Sequence, residues 1–384
     1  MCSTVNYVSK LKSKTMINRR EWLRNSAAMF GSLMFSLPEI DGRDINPLPF
    51  IGDKMPIKIS QNENPYGPSP MAVKAMTEQL TKGNRYAIPM INEFKIALSK
   101  LHNVKDTQIL LGSGSSEILA LSTFLAAERG KGNLVAANPT FKIWLSPAER
   151  VGLEVSWMPL DASMKHDLNR MSEAVNDKTR FIYICNPNNP TGTVLNDADL
   201  RSFIKKHAPN AYIIVDEAYT EYADAPSVSD MVKEFPNLII AKTFSKIYGM
   251  AGLRVGYAIA QEETIKSLSK YQAWANAGVS NVSVAAAMEG LKDTAHCDKA
   301  KTLNTQVRTF TEGVLKEKGF EYVPSKTNFM FFNVHHLNMD FADVMNKNGI
   351  LLRNWEAAGK KYARISMGTM DEMQTFAEVF RKVV

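Results

Sequence analysis

The chain has 384 residues, 45% apolar and 22% charged, an ordinary globular composition that excludes disordered, collagen-like and disulfide-scaffold classes. Lys and Arg number 46 against 39 Asp and Glu, yet six bases and one acid fall in residues 1–24, leaving 40 bases against 38 acids in the other 360. A near-neutral body argues against a nucleic-acid surface, and no apolar run reaches the ~18–20 residues a membrane-spanning helix needs.

In chain order, the first predicted element is a leader over residues 1–38. Asn18-Arg19-Arg20-Glu21-Trp22-Leu23-Arg24 precedes the modestly apolar stretch 27–37. Basic residues ahead of ~7–15 apolar ones is the layout of an export signal, and the paired arginines resemble the bacterial twin-arginine type. The expectation is periplasmic localisation, with a cytoplasmic protein as the alternative. Met1 and Met16 are both candidate starts.

Beyond the leader, short apolar runs alternate with amphipathic segments. Gln108–Leu111, Leu134–Ala137, Phe181–Cys185, Tyr212–Val215 and Leu238–Ala241 read as buried strands. Glu117–Glu128, Ala198–Lys206 and Ser227–Glu234 read as helices. This alternation predicts βαβ units, hence an α/β fold with a mostly parallel sheet. Past about residue 285 a long helical stretch precedes strand-like segments around Tyr322 and over Phe329–Val334, which predicts a smaller α+β domain. The boundaries expected are an arm over 39–85, a large domain over 86–285 and a small one over 286–384. Cys2, Cys185 and Cys297 are too sparse for a disulfide framework or a zinc site, and no metal is expected; Cys185 reads as a small core residue.

Four segments carry chemistry. Gly112-Ser113-Gly114-Ser115-Ser116-Glu117 follows a strand and opens a helix, where unpaired N–H groups favour an anion. Asn186-Pro187-Asn188-Asn189-Pro190-Thr191-Gly192 follows the next-but-one strand. Asp216 ends a buried strand, and ligands in open α/β sheets bind at the carboxyl ends of strands. Lys246 lies 30 residues later, about one βαβ unit, so acid and amine emerge from successive strand ends. A lysine held in an apolar cleft loses its proton and attacks a carbonyl. Read singly, Asp216 is equally a helix cap and Lys246 a solvated lysine.

Taken together these strings resemble the pyridoxal 5'-phosphate-dependent aminotransferases of fold type I, and most nearly the histidinol-phosphate aminotransferase family. Asn62-Glu63-Asn64-Pro65-Tyr66-Gly67 is similar to that family's opening motif, 243–257 to its lysine motif, and Arg364-Ile365-Ser366-Met367-Gly368 to its terminal arginine motif. The resemblance implies a mostly parallel seven-stranded central sheet. It implies that Lys246 condenses with the cofactor aldehyde and later moves the Cα proton, that Asp216 pairs with the pyridine nitrogen, and that Asn189 and Tyr219 reach the phenolic oxygen. Gly114 and Ser115, with Ser116, would hold the phosphate, completed by Thr243, Ser245 and Arg254. Phe141 would stack on the ring, where relatives carry Tyr or Trp. Arg364 would hold a substrate carboxylate, which Asn189 also approaches; Arg353 would hold a substrate phosphate or side-chain acid, and Tyr66 would line the pocket. Tyr86 resembles a tyrosine that reaches the neighbouring subunit's cofactor, which implies a homodimer, although Ala87 and Ile88 depart from the family string.

The expected reaction moves an amino group from a small-molecule donor, first L-histidinol phosphate, to a 2-oxo acid such as 2-oxoglutarate. A decarboxylase of a phosphorylated amino acid shares these motifs and remains open. A cofactor-binding regulator would need a DNA-binding domain ahead of the body. A nicotinamide oxidoreductase is disfavoured because Glu117 stands where a third glycine is required.

Overall fold

A seven-stranded sheet lies at the centre of the computed structural model, which describes residues 56–384. The leader with Arg19 and Arg20, and residues 39–55 of the arm, lie outside the described residues. The strands are β1 (Ile109–Ser113), β2 (Gly132–Asn138), β3 (Leu153–Pro159), β4 (Thr179–Cys185), β5 (Tyr212–Asp216), β6 (Leu238–Thr243) and β7 (Val255–Ile259). Their order across the sheet is β1-β7-β6-β5-β4-β2-β3. Only β7 runs against its neighbours, β1 and β6.

Burial on both faces explains the continuous apolar runs of the inner strands. On one face, Ile182, Ile184, Ile213, Val215 and Ile240 pack with Ile91, Phe94, Leu200, Phe203 and Ile204. These come from helices Ile88–His102 and Asp197–His207. On the other, Phe181, Tyr183, Cys185, Ile214 and Ile239 pack with Ile118, Leu119, Leu121 and Leu125 of helix Ser115–Ala127. Each such side chain contributes about 1.5–3 kcal/mol of transfer free energy, so the strand ends are rigidly held.

Three details depart from the sequence reading. Strand β3 was not expected; its alternation of Leu153, Val155 and Trp157 with Glu154 and Ser156 is that of an edge strand. Strand β7 was not expected either; it begins within the end of the lysine motif and runs on to Ile259. Ser227–Glu234 is not a full helix but a single 3-10 turn, Ser229–Lys233. There the Val228 N–H donates to the buried Glu217 Oε1 at 2.9 Å, and Pro236 stops the segment a few residues on.

A second, antiparallel sheet contains β8 (Tyr322–Val323), β9 (Phe329–Asn333), β10 (Arg353–Ala357) and β11 (Lys360–Ser366), in the order β10-β11-β9-β8. Its apolar face packs with Val307, Val314, Phe341, Phe376 and Phe380, drawn largely from helices Thr294–Glu317 and Met370–Val383. Among the described residues no helix is long and apolar enough to cross a membrane.

Candidate active site

The carboxyl ends of β1, β2, β4, β5 and β6 converge on a cavity of about 510 Å³, closed on its far side by Arg353 and Arg364 of the second sheet. Ser115, Ser116, Phe141, Asn189, Asp216, Tyr219, Thr243, Ser245, Lys246 and Arg254 also line it.

One end is a cup of donors. Gly114 is the N-cap of helix Ser115–Ala127, with φ 80° and ψ 165°, a region open essentially to glycine alone. A Cβ there would fall on the Arg254 guanidinium. Arg254, itself at φ 56°, donates to Ser116 Oγ at 2.9 Å and to the Ser113 carbonyl at 3.1 Å. Thr243 Oγ1 donates to Ser245 Oγ at 2.9 Å. Gly256 of β7 passes directly beneath, and a Cβ there would strike the backbone of Gly114 and Ser115. Helix amides, hydroxyls and a guanidinium around one space form an anion site.

At the centre stand Lys246 and Asp216. Lys246 Nζ donates to the carbonyls of Asn62, at 3.1 Å, and Gln61, at 3.3 Å. Burial, with Arg364 as a second cause, lowers its pKa to about 8. Burial pushes the Asp216 carboxyl up to about 6, although two hydrogen bonds favour its charged form. Those come from the Tyr183 hydroxyl to Oδ2 at 3.0 Å and from the Ala218 N–H to Oδ1 at 3.2 Å. The Tyr219 hydroxyl accepts from Asn62 Nδ2 at 3.0 Å, and burial raises its pKa.

At the other end Arg364 is buried, its pKa lowered to about 10 by burial and by Arg353. It donates to Asn189 Oδ1 at 2.7 Å and to the Ser60 carbonyl. Among the described residues its Nε is buried without a partner. Arg353 sits opposite Arg364 in the β10–β11 register and is exposed at the cavity rim.

Two expected site residues stand elsewhere. Tyr66 is absent from the cavity lining; its ring packs with the cluster of Tyr219, Tyr222 and Ile247. The turn closed by Gly67 N–H to the Asn64 carbonyl at 3.2 Å sets it there. Tyr86 is 77% exposed, edge-on to Trp274 at 4.9 Å, and does not line this cavity. Conversely, sequence reasoning missed Gln61, Asn62, Glu63, Ile143 and Cys185 as lining residues. Only the motif containing Asn62 and Glu63 gave any signal. Cys185 is buried as expected of a core residue, and it also touches the cavity.

Residues 54–380 match the family of class I and II aminotransferases. A histidinol-phosphate aminotransferase of Caldicellulosiruptor saccharolyticus is 36% identical over 358 residues, covering 90% of this chain and 97% of that protein. One from Moorella thermoacetica is 33% identical, covering 90% of each. The solved histidinol-phosphate aminotransferase of Sinorhizobium meliloti in complex with pyridoxal 5'-phosphate superposes with a TM-score of 0.80. It is 26% identical, covering 92% of this chain and 97% of that one.

The residues present fit that cofactor. The Gly114–Arg254 cradle, which a Cβ would fill, suits its phosphate. The buried carboxylate of Asp216 suits a protonated pyridine nitrogen, and the Lys246 amine, easily deprotonated, suits an aldehyde.

Proposed function

The chain belongs to the class I and II aminotransferases, and on that footing we propose that its amino donor is L-histidinol phosphate and its acceptor a 2-oxo acid such as 2-oxoglutarate. The observation that carries this donor is the facing pair Arg353 and Arg364, both lining the cavity on adjacent strands. Two guanidinium groups at one end of a pocket suit a phosphate dianion, and equally the carboxylates of the acceptor. The relatives named above point to the same donor.

This is a pyridoxal 5'-phosphate-dependent enzyme. When bound, the cofactor supplies an aldehyde that takes up the amino group and an electron-poor ring that accepts the electron pair left by the Cα proton. The rest of the work falls to the chain's own side chains. Arg364, already anchored to Asn189, holds the substrate anion and so fixes which Cα bond faces Lys246. Lys246 Nζ, with its pKa near 8, is a free amine in an appreciable fraction of molecules near neutrality and takes the Cα proton. Asp216 would hold its negative charge against the ring nitrogen. Asn189 and Tyr219 present polar groups at the cavity wall, where the phenolic oxygen would lie.

The test is a donor panel with 2-oxoglutarate, scoring glutamate and carbon dioxide. Glutamate formed fastest from L-histidinol phosphate supports the proposal. Glutamate formed only from another donor rejects the assignment, and carbon dioxide release would replace transfer by decarboxylation.

The proposal extends to location and assembly. Arg19-Arg20 ahead of 27–37 supports twin-arginine export to the periplasm; Arg19→Lys with Arg20→Lys should then leave the protein in the cytoplasmic fraction. The exposed Tyr86–Trp274 pair supports a homodimer in which Tyr86 serves the neighbouring site. Two sheets on either side of residue 285 support the division into an arm (39–85), a cofactor domain (86–285) and a C-terminal domain (286–384).

A further inference from the structure

Tyr183 lies on β4 and is completely buried, its ring 4.9 Å from that of the equally buried Trp144. A phenylalanine would fill the same space. What the tyrosine adds is a hydroxyl, and a buried hydroxyl needs a partner. Its partner is Asp216 Oδ2, at 3.0 Å. The register explains the meeting. Cys185 pairs with Asp216 and Tyr183 with Ile214, so Tyr183 and Asp216 emerge on one face of the sheet.

Asp216 is 2% exposed. Several groups face it. From β4 come Tyr183 and the Cys185 thiol, which burial keeps neutral. Lys246, beyond β6, favours its charge, and Glu217 on its own strand end opposes it. Tyr219 stands close by, also kept neutral by burial. Among the described residues Tyr183 is the one side chain that donates a hydrogen bond to this carboxylate, the other donor being the Ala218 N–H. An ionised carboxyl offers about four acceptor positions; these two bonds fix the carboxylate's plane and leave the others for the cavity.

We propose that Tyr183 is a positioning residue for cofactor binding: its hydroxyl holds Asp216 ionised and oriented, so that the carboxylate meets a protonated pyridine nitrogen. The inference rests on the cofactor, not on the donor, so it survives if another amino compound proves to be the substrate. Without the hydroxyl the Asp216 carboxyl loses a stabiliser of its charged form, and its pKa rises further.

The test is Tyr183→Phe in the full-length protein, freed of cofactor and titrated between about pH 5.5 and 8.5, where the affected carboxyl changes charge. Two probes are compared: pyridoxal 5'-phosphate, and its analogue with carbon in place of the ring nitrogen. At neutral pH the variant should bind the natural cofactor about tenfold more weakly. The acid limb of binding should move up by up to about one pH unit relative to the parent. The carbon analogue should bind parent and variant alike. Equal weakening for both probes, or none for either, overturns the proposal, the former because it marks a packing defect alone. Should the phenylalanine variant fail to fold, 3-fluorotyrosine at position 183 offers a stronger donor of nearly the same volume. It should move the acid limb downward, and an unmoved limb overturns the proposal as well.

Discussion

Gly114→Ala probes the anion cup most sharply, because the structure separates its cost into two parts. The first is backbone strain. At φ 80° and ψ 165° a residue with a Cβ is strained by about 1–3 kcal/mol. The second is displacement of Arg254, whose guanidinium occupies the place the Cβ would take. Moving it breaks the bonds to Ser116 Oγ and the Ser113 carbonyl, 2.9 and 3.1 Å long. A hydrogen bond to a charged group contributes about 1.5–3 kcal/mol, and Arg254 is partly in water, so the lower end applies. Misplacing the same guanidinium removes a charge-assisted grip on the cofactor phosphate, so affinity should fall at least about tenfold. The assay is a double-mutant cycle over Gly114→Ala and Arg254→Ala, read by urea unfolding of the cofactor-free protein and by cofactor titration. In the Arg254→Ala background the glycine substitution should keep its strain cost and lose its clash cost. The two effects are then non-additive by about 1–2 kcal/mol. Strict additivity, or parental cofactor affinity in Gly114→Ala, would refute the geometry of the cup.

Other predictions concern buried charge. Lys242 Nζ lies 3.2 Å from Glu217 Oε2 and 2.9 Å from Glu221 Oε1, with Lys242 and Glu217 buried. Lys242→Met strands the Glu217 carboxylate and should cost about 3–5 kcal/mol, seen as a melting temperature lower by about 4–6 °C in a chain of this length. The Asp216 carboxyl rises from 3.8 unfolded to about 6 folded, so the cofactor-free fold binds more protons than the unfolded chain between those values. Its penalty is absent below about pH 4, grows as pH rises through 6, and reaches about 3 kcal/mol above it. Asp216→Asn should therefore stabilise the cofactor-free protein at pH 8 and not at pH 4, and equal unfolding midpoints at pH 8 would contradict this. For Lys246, whose pKa falls to about 8, arylation by trinitrobenzenesulfonate in the cofactor-free protein should reach half its limiting rate near that pH. A midpoint above 10 would mean that the amine is solvated.

The inner strands and the helices between them were legible because burial on both faces writes itself as uninterrupted apolar runs such as Phe181–Cys185. The ends of those runs located Asp216 and Lys246 correctly with respect to each other, since parallel neighbours one crossover apart must deliver their carboxyl ends side by side. An edge strand such as β3 buries less and alternates weakly. The direction of β7 depends on the connection over 244–254, which reverses the chain after β6 and ends in Arg254 at φ 56°, not on its own residues. Contacts that join distant segments were not legible at all. Asn62, Ser366 and Tyr219 are linked by hydrogen bonds of 2.7–3.0 Å, yet Asn62 and Ser366 are 304 residues apart. The carbonyls that hold Lys246 belong to Gln61 and Asn62, and a backbone acceptor leaves no residue-type signal. Tyr183 looked like any strand aromatic, and only the register with Asp216 gives its hydroxyl a function.

Amino transfer through Lys246 is isolated in a single half-reaction. The cofactor-loaded protein is mixed with excess L-histidinol phosphate and no acceptor, and the cofactor released by acid is identified. About one equivalent of pyridoxamine 5'-phosphate per site is expected, with a matching equivalent of carbonyl product, and none from Lys246→Ala. Cofactor recovered unchanged as pyridoxal 5'-phosphate, with this donor and with every amino acid tried in its place, would contradict it.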